Sequence, residues 1–221
     1  MSNQSFEGKV HVIEHPLAQA ILTQLRDKKT DQITFRKGVV KAGRLMGYEI
    51  IRTMPVRRTK VTTPLNVQAE GIVIPDLENI VIVNVLRAAM PLVEGLLKAF
   101  PLARQGVMAI QRVEDKPGLQ NIRAVRYFGK IPALKNEDTV IVADPMLATG
   151  STLSEVIGEV QNFGRPKRTI ITSIISCDYG INRVLKSYPR VEIFTLAVDH
   201  KLNEHGYIVP GLGDAGDRSF G

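Results

Sequence analysis

The chain has one cysteine, Cys177, so no disulfide can form within it. That fits a reducing compartment. No run of eighteen or more apolar residues occurs, which excludes an apolar membrane-spanning helix. The opening MSNQSFEGKV has neither a charged n-region nor an apolar h-region. No secretory signal is expected, and the cytoplasm is the expected location. Internal repeats, low-complexity tracts and linkers are also missing, so a single domain over residues 1–221 is expected. Cys177 follows an apolar stretch and reads as a small buried hydrophobe rather than a reactive thiol.

Against these absences, 44% of the 221 residues are hydrophobic and 23% charged. That balance supports one well-covered globular core and argues against disorder. The net charge of +7 is uneven: residues 1–60 hold 12 Lys/Arg against 5 Asp/Glu, and the remainder is balanced. A solvated basic helix face is the plain reading. A surface that meets polyanions is the sharper one.

Apolar strands alternate with helical patterns along most of the chain. Residues 17–27 and 31–53 read as helices, the second weakened by Gly38, Gly43 and Gly47. KVTTPL and EGIVI, within 59–74, read as a hairpin or arm. NIVIVNVL at 79–86 is a continuous apolar run, as in a strand buried on both faces. Further strands are read in GVMAIQRV, TVIVAD, RTIITSIIS and RVEIFTLAVD, with helices over 90–100, 151–163 and 179–187. Residues 114–138 are polar with an EDKPG turn and read as a mobile excursion. The alternation predicts an α/β fold with a mostly parallel sheet flanked by helices. Residues after Asp199 read as a Gly-rich, irregular tail.

One stretch carries chemistry. In VIVADPMLATGSTLSEVIGEV, 140–160, an apolar strand delivers a lone Asp144 to its carboxyl end, and a helix begins near Ser151. Ligands of open parallel sheets bind beyond such ends. The first amides of a helix have no intrahelical partners and, with the helix dipole, form an anion site. Thr149, Ser151 and Thr152 add hydroxyls, and Gly150 allows close backbone approach. A phosphate is therefore expected on residues 148–152. No lysine follows as a Walker loop requires. An ordinary capped junction is the alternative, but Asp144 weighs against it. A carboxylate there repels phosphate and suits sugar hydroxyls.

VIVADPMLATGST resembles the phosphoribosyl-diphosphate signature of type I phosphoribosyltransferases. Asp144 followed by Pro145, rather than two adjacent acids, resembles the uracil phosphoribosyltransferase form. The tail LNEHGYIVPGLGDAGDRSFG, 202–221, is similar to that family's C-terminal signature, and HPL at 15–17, YE at 48–49 and LRAAMP at 86–91 also fit. The resemblance implies the type I phosphoribosyltransferase fold, with N-terminal helices over 15–53, a β-arm over 54–75 and a uracil-binding hood over 199–221. It implies transfer of the 5-phosphoribosyl group from phosphoribosyl diphosphate to N1 of uracil, giving UMP and diphosphate in pyrimidine salvage.

By the same resemblance, Asp144, Pro145, Met146, Leu147, Ala148, Thr149, Gly150, Ser151 and Thr152 hold the ribose 5-phosphate group, with Asp144 on the ribose 2- and 3-hydroxyls. Arg87 and Arg112 align with diphosphate contacts, and arginine's planar fork suits phosphate oxygens. Asp214 aligns with a further contact to phosphoribosyl diphosphate and is named with Asp144 as catalytic. Ile208, Gly213, Asp214 and Ala215 are expected to meet the base, whose acceptor–donor–acceptor edge an irregular backbone can answer. Mg²⁺ is expected mainly through the substrate diphosphate, with no dedicated protein metal site. His200 and His205, five apart, lack zinc-helix spacing.

GLGDAG at 211–216 matches G-x-G-x-x-G in letters only, since no strand–helix unit follows. Family members are commonly oligomers and several respond to GTP, so a homodimer or homotetramer and a GTP effector are expected. The N-terminal helices, with Arg57, Arg58 and Lys60, would supply the effector or subunit surface. Two readings compete. One is a pyrimidine-sensing RNA-binding regulator, favoured only by the basic N-terminal quarter; no aromatic-interleaved basic motif accompanies it. The other is the same chemistry on cytosine, orotate or a purine, which the tail disfavours. No membrane or nucleic-acid partner is expected.

Overall fold

The computed structural model describes residues 8–114, 118 and 122–221, with 112–114, 122 and 123 described by backbone alone. The apolar runs read from the sequence form the middle of one sheet. Its strands are β1 (Val10–Val12), β4 (Ile80–Leu86), β5 (Arg104–Glu114), β6 (Ile122–Lys130), β7 (Thr139–Ala143), β8 (Met146–Leu147), β9 (Arg168–Cys177) and β10 (Glu192–Asp199). They lie in the order β1-β10-β9-β7-β4-β5-β6, with β8 also paired to β9. Every pairing is parallel except β5 with β6. All five residues of β7 and the first four of β4 are buried, as strands covered on both faces require.

Helix α2 (Gln32–Ile51) packs on both α1 (Pro16–Arg26) and α3 (Met90–Ala99), and α4 (Ser151–Val160) packs on α5 (Asp178–Ser187). The β4–α3–β5 crossover steps one way along the sheet. The β7–α4–β9 and β9–α5–β10 crossovers step the other way. Right-handed connections then put α3 and the α4–α5 pair on opposite faces. Direction reverses between β4 and β7, which makes their carboxyl ends the switch point where an open parallel sheet binds ligands.

The glycines of α2 do not act as expected from propensity. A Cβ on Gly43 would lie 2.3 Å from Leu92 O, and one on Gly95 of α3 would lie 2.1 Å from Val40 O. The two helices touch backbone to backbone there, and packing overrides the local cost of glycine. Asp31 starts α2 by accepting from Thr34 N at 2.9 Å. Arg57–Thr62 (β2) and Gln68–Val73 (β3) form a separate antiparallel ribbon.

Two expectations are corrected. Residues 114–138 are not a plain excursion: β6 pairs antiparallel with β5 from Val107↔Lys130 to Glu114↔Ile122. The EDKPG turn lies largely outside the described residues. The stretch after Asp199 is not wholly irregular. It contains β11 (Lys201–Leu202) paired with β12 (Ile208–Val209), then α6 (Ala215–Phe220). The edge strand β1, which pairs with β10 from Val10↔Ile193, was not anticipated, since three residues carry no strand signal.

Candidate active site

A cleft of about 160 Å³ opens at the switch point. Its walls come from two distant stretches: Asp144 and residues 146–150 with Thr152 and Leu153 on one side, Gly206, Tyr207 and residues 213–216 on the other. Ala88, from the β4–α3 connection, closes one end.

Asp144 follows β7 and is half-buried. Its main chain is tied to the sheet, with Asp144 N donating to Thr172 O at 3.1 Å and Ser173 Oγ donating to Asp144 O at 2.6 Å. Its Oδ1 accepts from Met146 N at 3.2 Å. The carboxylate is therefore aimed by fixed backbone on both sides. Thr149 and Ser151 are buried, and their hydroxyls lie 3.0 Å apart. Gly150, at φ +76°, is the N-cap of α4 and supplies no side-chain cap. The first turn of α4 holds no acidic residue, so its amides and dipole favour an anion.

Arg87 lies immediately after β4, across a cis Leu86–Arg87 peptide. It is exposed, 3.6 Å from Asp217 Oδ1, with its guanidinium 5.5 Å from the Phe220 ring centroid. Both contacts belong to the tail helix α6, so Arg87 stands against the tail beside Ala88, which lines the cleft, without lining it itself. Arg112 has its backbone in β5, in register with Ala124; its side chain lies outside the described residues.

Asp214 is exposed and lines the cleft. Its Oδ1 accepts from Gly216 N at 2.8 Å and Asp217 N at 2.9 Å, which makes it the cap of α6. Ile208 is buried, Gly213 stands at φ +80°, and Ala215 is buried. Gly213, Asp214 and Ala215 all line the cleft that Asp144 lines. Of the residues expected at a site, Asp144, 146–150, Thr152 and 213–215 meet at one cavity. Pro145, Ser151 and Ile208 flank it without lining it.

Sequence reading did not reach the residues that hold the tail. Arg26 grips Asp199 with two hydrogen bonds of 2.8 and 2.7 Å and also donates to Gly211 O at 2.7 Å. Arg218 donates to Leu25 O, to Leu212 O at 2.8 Å and to Asp27 O at 2.8 Å, with its guanidinium 4.2 Å from the Phe35 ring centroid. Burial pushes the Asp199 carboxyl up. Hydrogen bonds from Arg26 and Gly211 and the Arg26 charge outweigh it and leave the group below its ordinary value. Arg26 lies 173 residues from Asp199 and Arg218 lies 193 from Leu25, so no local pattern announces these ties.

His200 Nδ1 lies 2.6 Å from Asp178 Oδ2, and His205 is exposed. Neither histidine is a core hydrogen-bonding group. Among the described residues, no group of three His, Cys, Asp or Glu side chains could hold a metal ion, and no helix is long and apolar enough to cross a membrane. Cys177 is buried, and burial pushes its thiol up.

A family model for uracil phosphoribosyltransferase matches residues 12–221. A uracil phosphoribosyltransferase of Metallosphaera sedula is 55% identical over 215 residues, covering 96% of this chain and 99% of that protein. One of Pyrobaculum arsenaticum is 52% identical over 211 residues, covering 96% and 98%. Among solved structures, the AQ2163 protein of Aquifex aeolicus superposes with a TM-score of 0.85 at 31% identity, over 96% of this chain and 97% of that one.

Proposed function

The chain belongs to the uracil phosphoribosyltransferase family, a family of pentosyltransferases that make UMP and diphosphate from uracil and phosphoribosyl diphosphate, and we propose how its own residues divide that work. The 5-phosphate sits on the amides and hydroxyls of residues 148–152. Asp144 takes the ribose 2- and 3-hydroxyls. Arg87 and Arg112 take the diphosphate, joined by Asp214. Ile208 and residues 213–215 read the base through their backbone. The observation that carries this division is the single cleft whose opposite walls are the Asp144–Leu153 loop and the Gly206–Gly216 tail.

As diphosphate departs from C1, the sugar gains oxocarbenium character. A carboxylate already oriented by Met146 N stabilises that charge without reorganising. Arginines meet the charge that builds on the leaving group. A cytosine would present two reversed groups to the tail backbone and leave buried donors or acceptors unpaired, costing about 1–3 kcal/mol each. Mg²⁺ fits as a passenger on the diphosphate, where it would neutralise phosphate charge, since such ions are held by phosphates and water with few protein carboxylates.

The enzyme would act in the cytoplasm as a homo-oligomer. The β2–β3 ribbon supports assembly, because Val61, Leu65, Val67 and Ile72 are all exposed on it. A GTP effector would use the exposed cations of that ribbon, Arg57, Arg58 and Lys60.

The test is UMP formation from labelled uracil, phosphoribosyl diphosphate and Mg²⁺, with Asp144→Asn beside the native chain. UMP from uracil but not cytosine, and kcat lowered about 10²–10³-fold in the variant, is the expected result. An unchanged rate in Asp144→Asn would remove the role given to that carboxylate.

A further inference from the structure

The tail meets the cleft in two pieces, Gly206 and Tyr207 with Ile208 beside them, and residues 213–216, and Gly211 is the joint between them. Gly211 is buried at φ +62°, and a Cβ there would lie 2.1 Å from Ile208 O. The chain therefore folds back on itself between Ile208 and Gly211, across a cis Val209–Pro210 peptide. The separation of the two pieces depends on how this joint is held.

Both polar groups of the joint are taken by one ion pair. Gly211 N donates to Asp199 Oδ2 at 3.0 Å, and Gly211 O accepts from Arg26 Nη1 at 2.7 Å. Arg26 and Asp199 are locked to each other by two further hydrogen bonds. The result is a closed ring of charge-assisted bonds, stronger than neutral ones. The Asp199 side chain is 8% exposed and that of Arg26 24%, so neither partner can be removed without leaving the other poorly solvated. The two supports come from rigid elements, the last turn of α1 and the last residue of β10. Arg218 fastens the next residue, Leu212, to the carbonyl of Leu25, which neighbours Arg26.

We propose that Arg26 and Asp199 are positioning residues for the base: they fix the Gly211 joint and so set the spacing of the two tail segments that read uracil. The inference rests on the base site proposed above. Neither side chain lines the cleft, so they act through the tail backbone. A backbone reader has no side-chain rotamers to adjust, and its selectivity depends on being held from behind.

The test is steady-state kinetics of Asp199→Asn and Arg26→Lys, with amide exchange of residues 208–216 measured in the native enzyme with and without UMP. Asp199→Asn is expected to raise the KM for uracil about tenfold or more, the scale of one charged hydrogen bond. The KM for phosphoribosyl diphosphate should rise several-fold less, because the Asp144–Thr152 loop is untouched and Asp214 is the one proposed contact to that substrate on the tail. Arg26→Lys keeps the charge but loses the second guanidinium nitrogen, which holds Asp199 Oδ1, and with it the planar fork. It should show a smaller change in the same direction, and it carries the test if Asp199→Asn does not fold. Protection of 208–216 by UMP, with the KM for uracil unchanged or both KM values raised alike, would overturn the inference alone. No protection in the native enzyme would overturn the base site and the inference together.

Discussion

Gly150 and Gly180 pack backbone against backbone: a Cβ on Gly150 would lie 2.8 Å from Gly180 O, and one on Gly180 would lie 2.4 Å from Ala148 O. The loop proposed to cradle phosphate is thus braced from behind by the first turn of α5. Gly180→Ala must push that loop toward the cleft, because the obstacles are main-chain atoms that cannot swing away. The expected outcome is a KM for phosphoribosyl diphosphate raised about tenfold or more, the sensitivity of positioned groups to small displacements, with a smaller effect on the KM for uracil. Initial-rate kinetics with each substrate varied in turn measures it.

A second pair of glycines concerns stability rather than the site. The Cβ of Gly95→Ala would meet Val40 O at 2.1 Å and Arg44 N at 2.8 Å, forcing α3 away from α2. Overpacking of this kind costs about 1–3 kcal/mol, and each kcal/mol lowers Tm by about 2–4 °C in a chain of this size. Scanning calorimetry should show the loss. A Tm equal to that of the native protein would mean that the helices separate without penalty.

These glycines mark the border of what the sequence discloses. The strand–loop–helix at 140–160 was legible because an apolar run, a carboxylate and a helix start are all local signals. The pairing of that loop with the tail was legible only through resemblance, since 144 and 214 are far apart in the chain. Gly43 looked like a weak point of α2 because propensity counts the helix alone, whereas α3 packs against it. Strand β6 was missed because Arg123, Arg126 and Lys130 break its apolar pattern, as an antiparallel edge strand permits. The Arg26–Asp199 ring joins two elements that only the finished fold brings together.

The ribbon makes a prediction about assembly. Ile72 is 62% exposed and Leu65 85% exposed on β3 and the turn before it, and an isolated two-stranded ribbon is marginally stable in water. If it docks on another copy, Ile72→Asp should lower the molecular mass seen by sedimentation, since a charge buried at an interface is costly. An unchanged mass would place the contact elsewhere. Titration with GTP, using Arg58→Ala as the comparison, tests the effector separately. A rate indifferent to GTP in both proteins would remove that proposal.

At the opposite end of the sheet, Glu192 ties three strands. It accepts from Arg168 Nε at 2.8 Å and Nη2 at 2.7 Å, and His11 Nε2 lies 3.2 Å away, with the His11 ring stacked on Phe194. Burial pushes the Glu192 carboxyl up, and the Arg168 hydrogen bonds and charge, with His11, bring it below its ordinary value of 4.5. A carboxyl held below its unfolded value binds fewer protons in the folded protein. Its stabilisation is therefore present at pH above about 4.5 and is lost as pH falls through the lower folded value. Part of the pair faces water, so about 1 kcal/mol is the appropriate scale. Glu192→Gln should lower Tm by about 2–4 °C at pH 7, and the gap to the native protein should close as pH drops below 4.5. Because the group lies away from the cleft, UMP synthesis at pH 7 should be unaffected. A Tm gap that persisted undiminished at pH 3 would assign the loss to packing around Phe194 instead of to the charge.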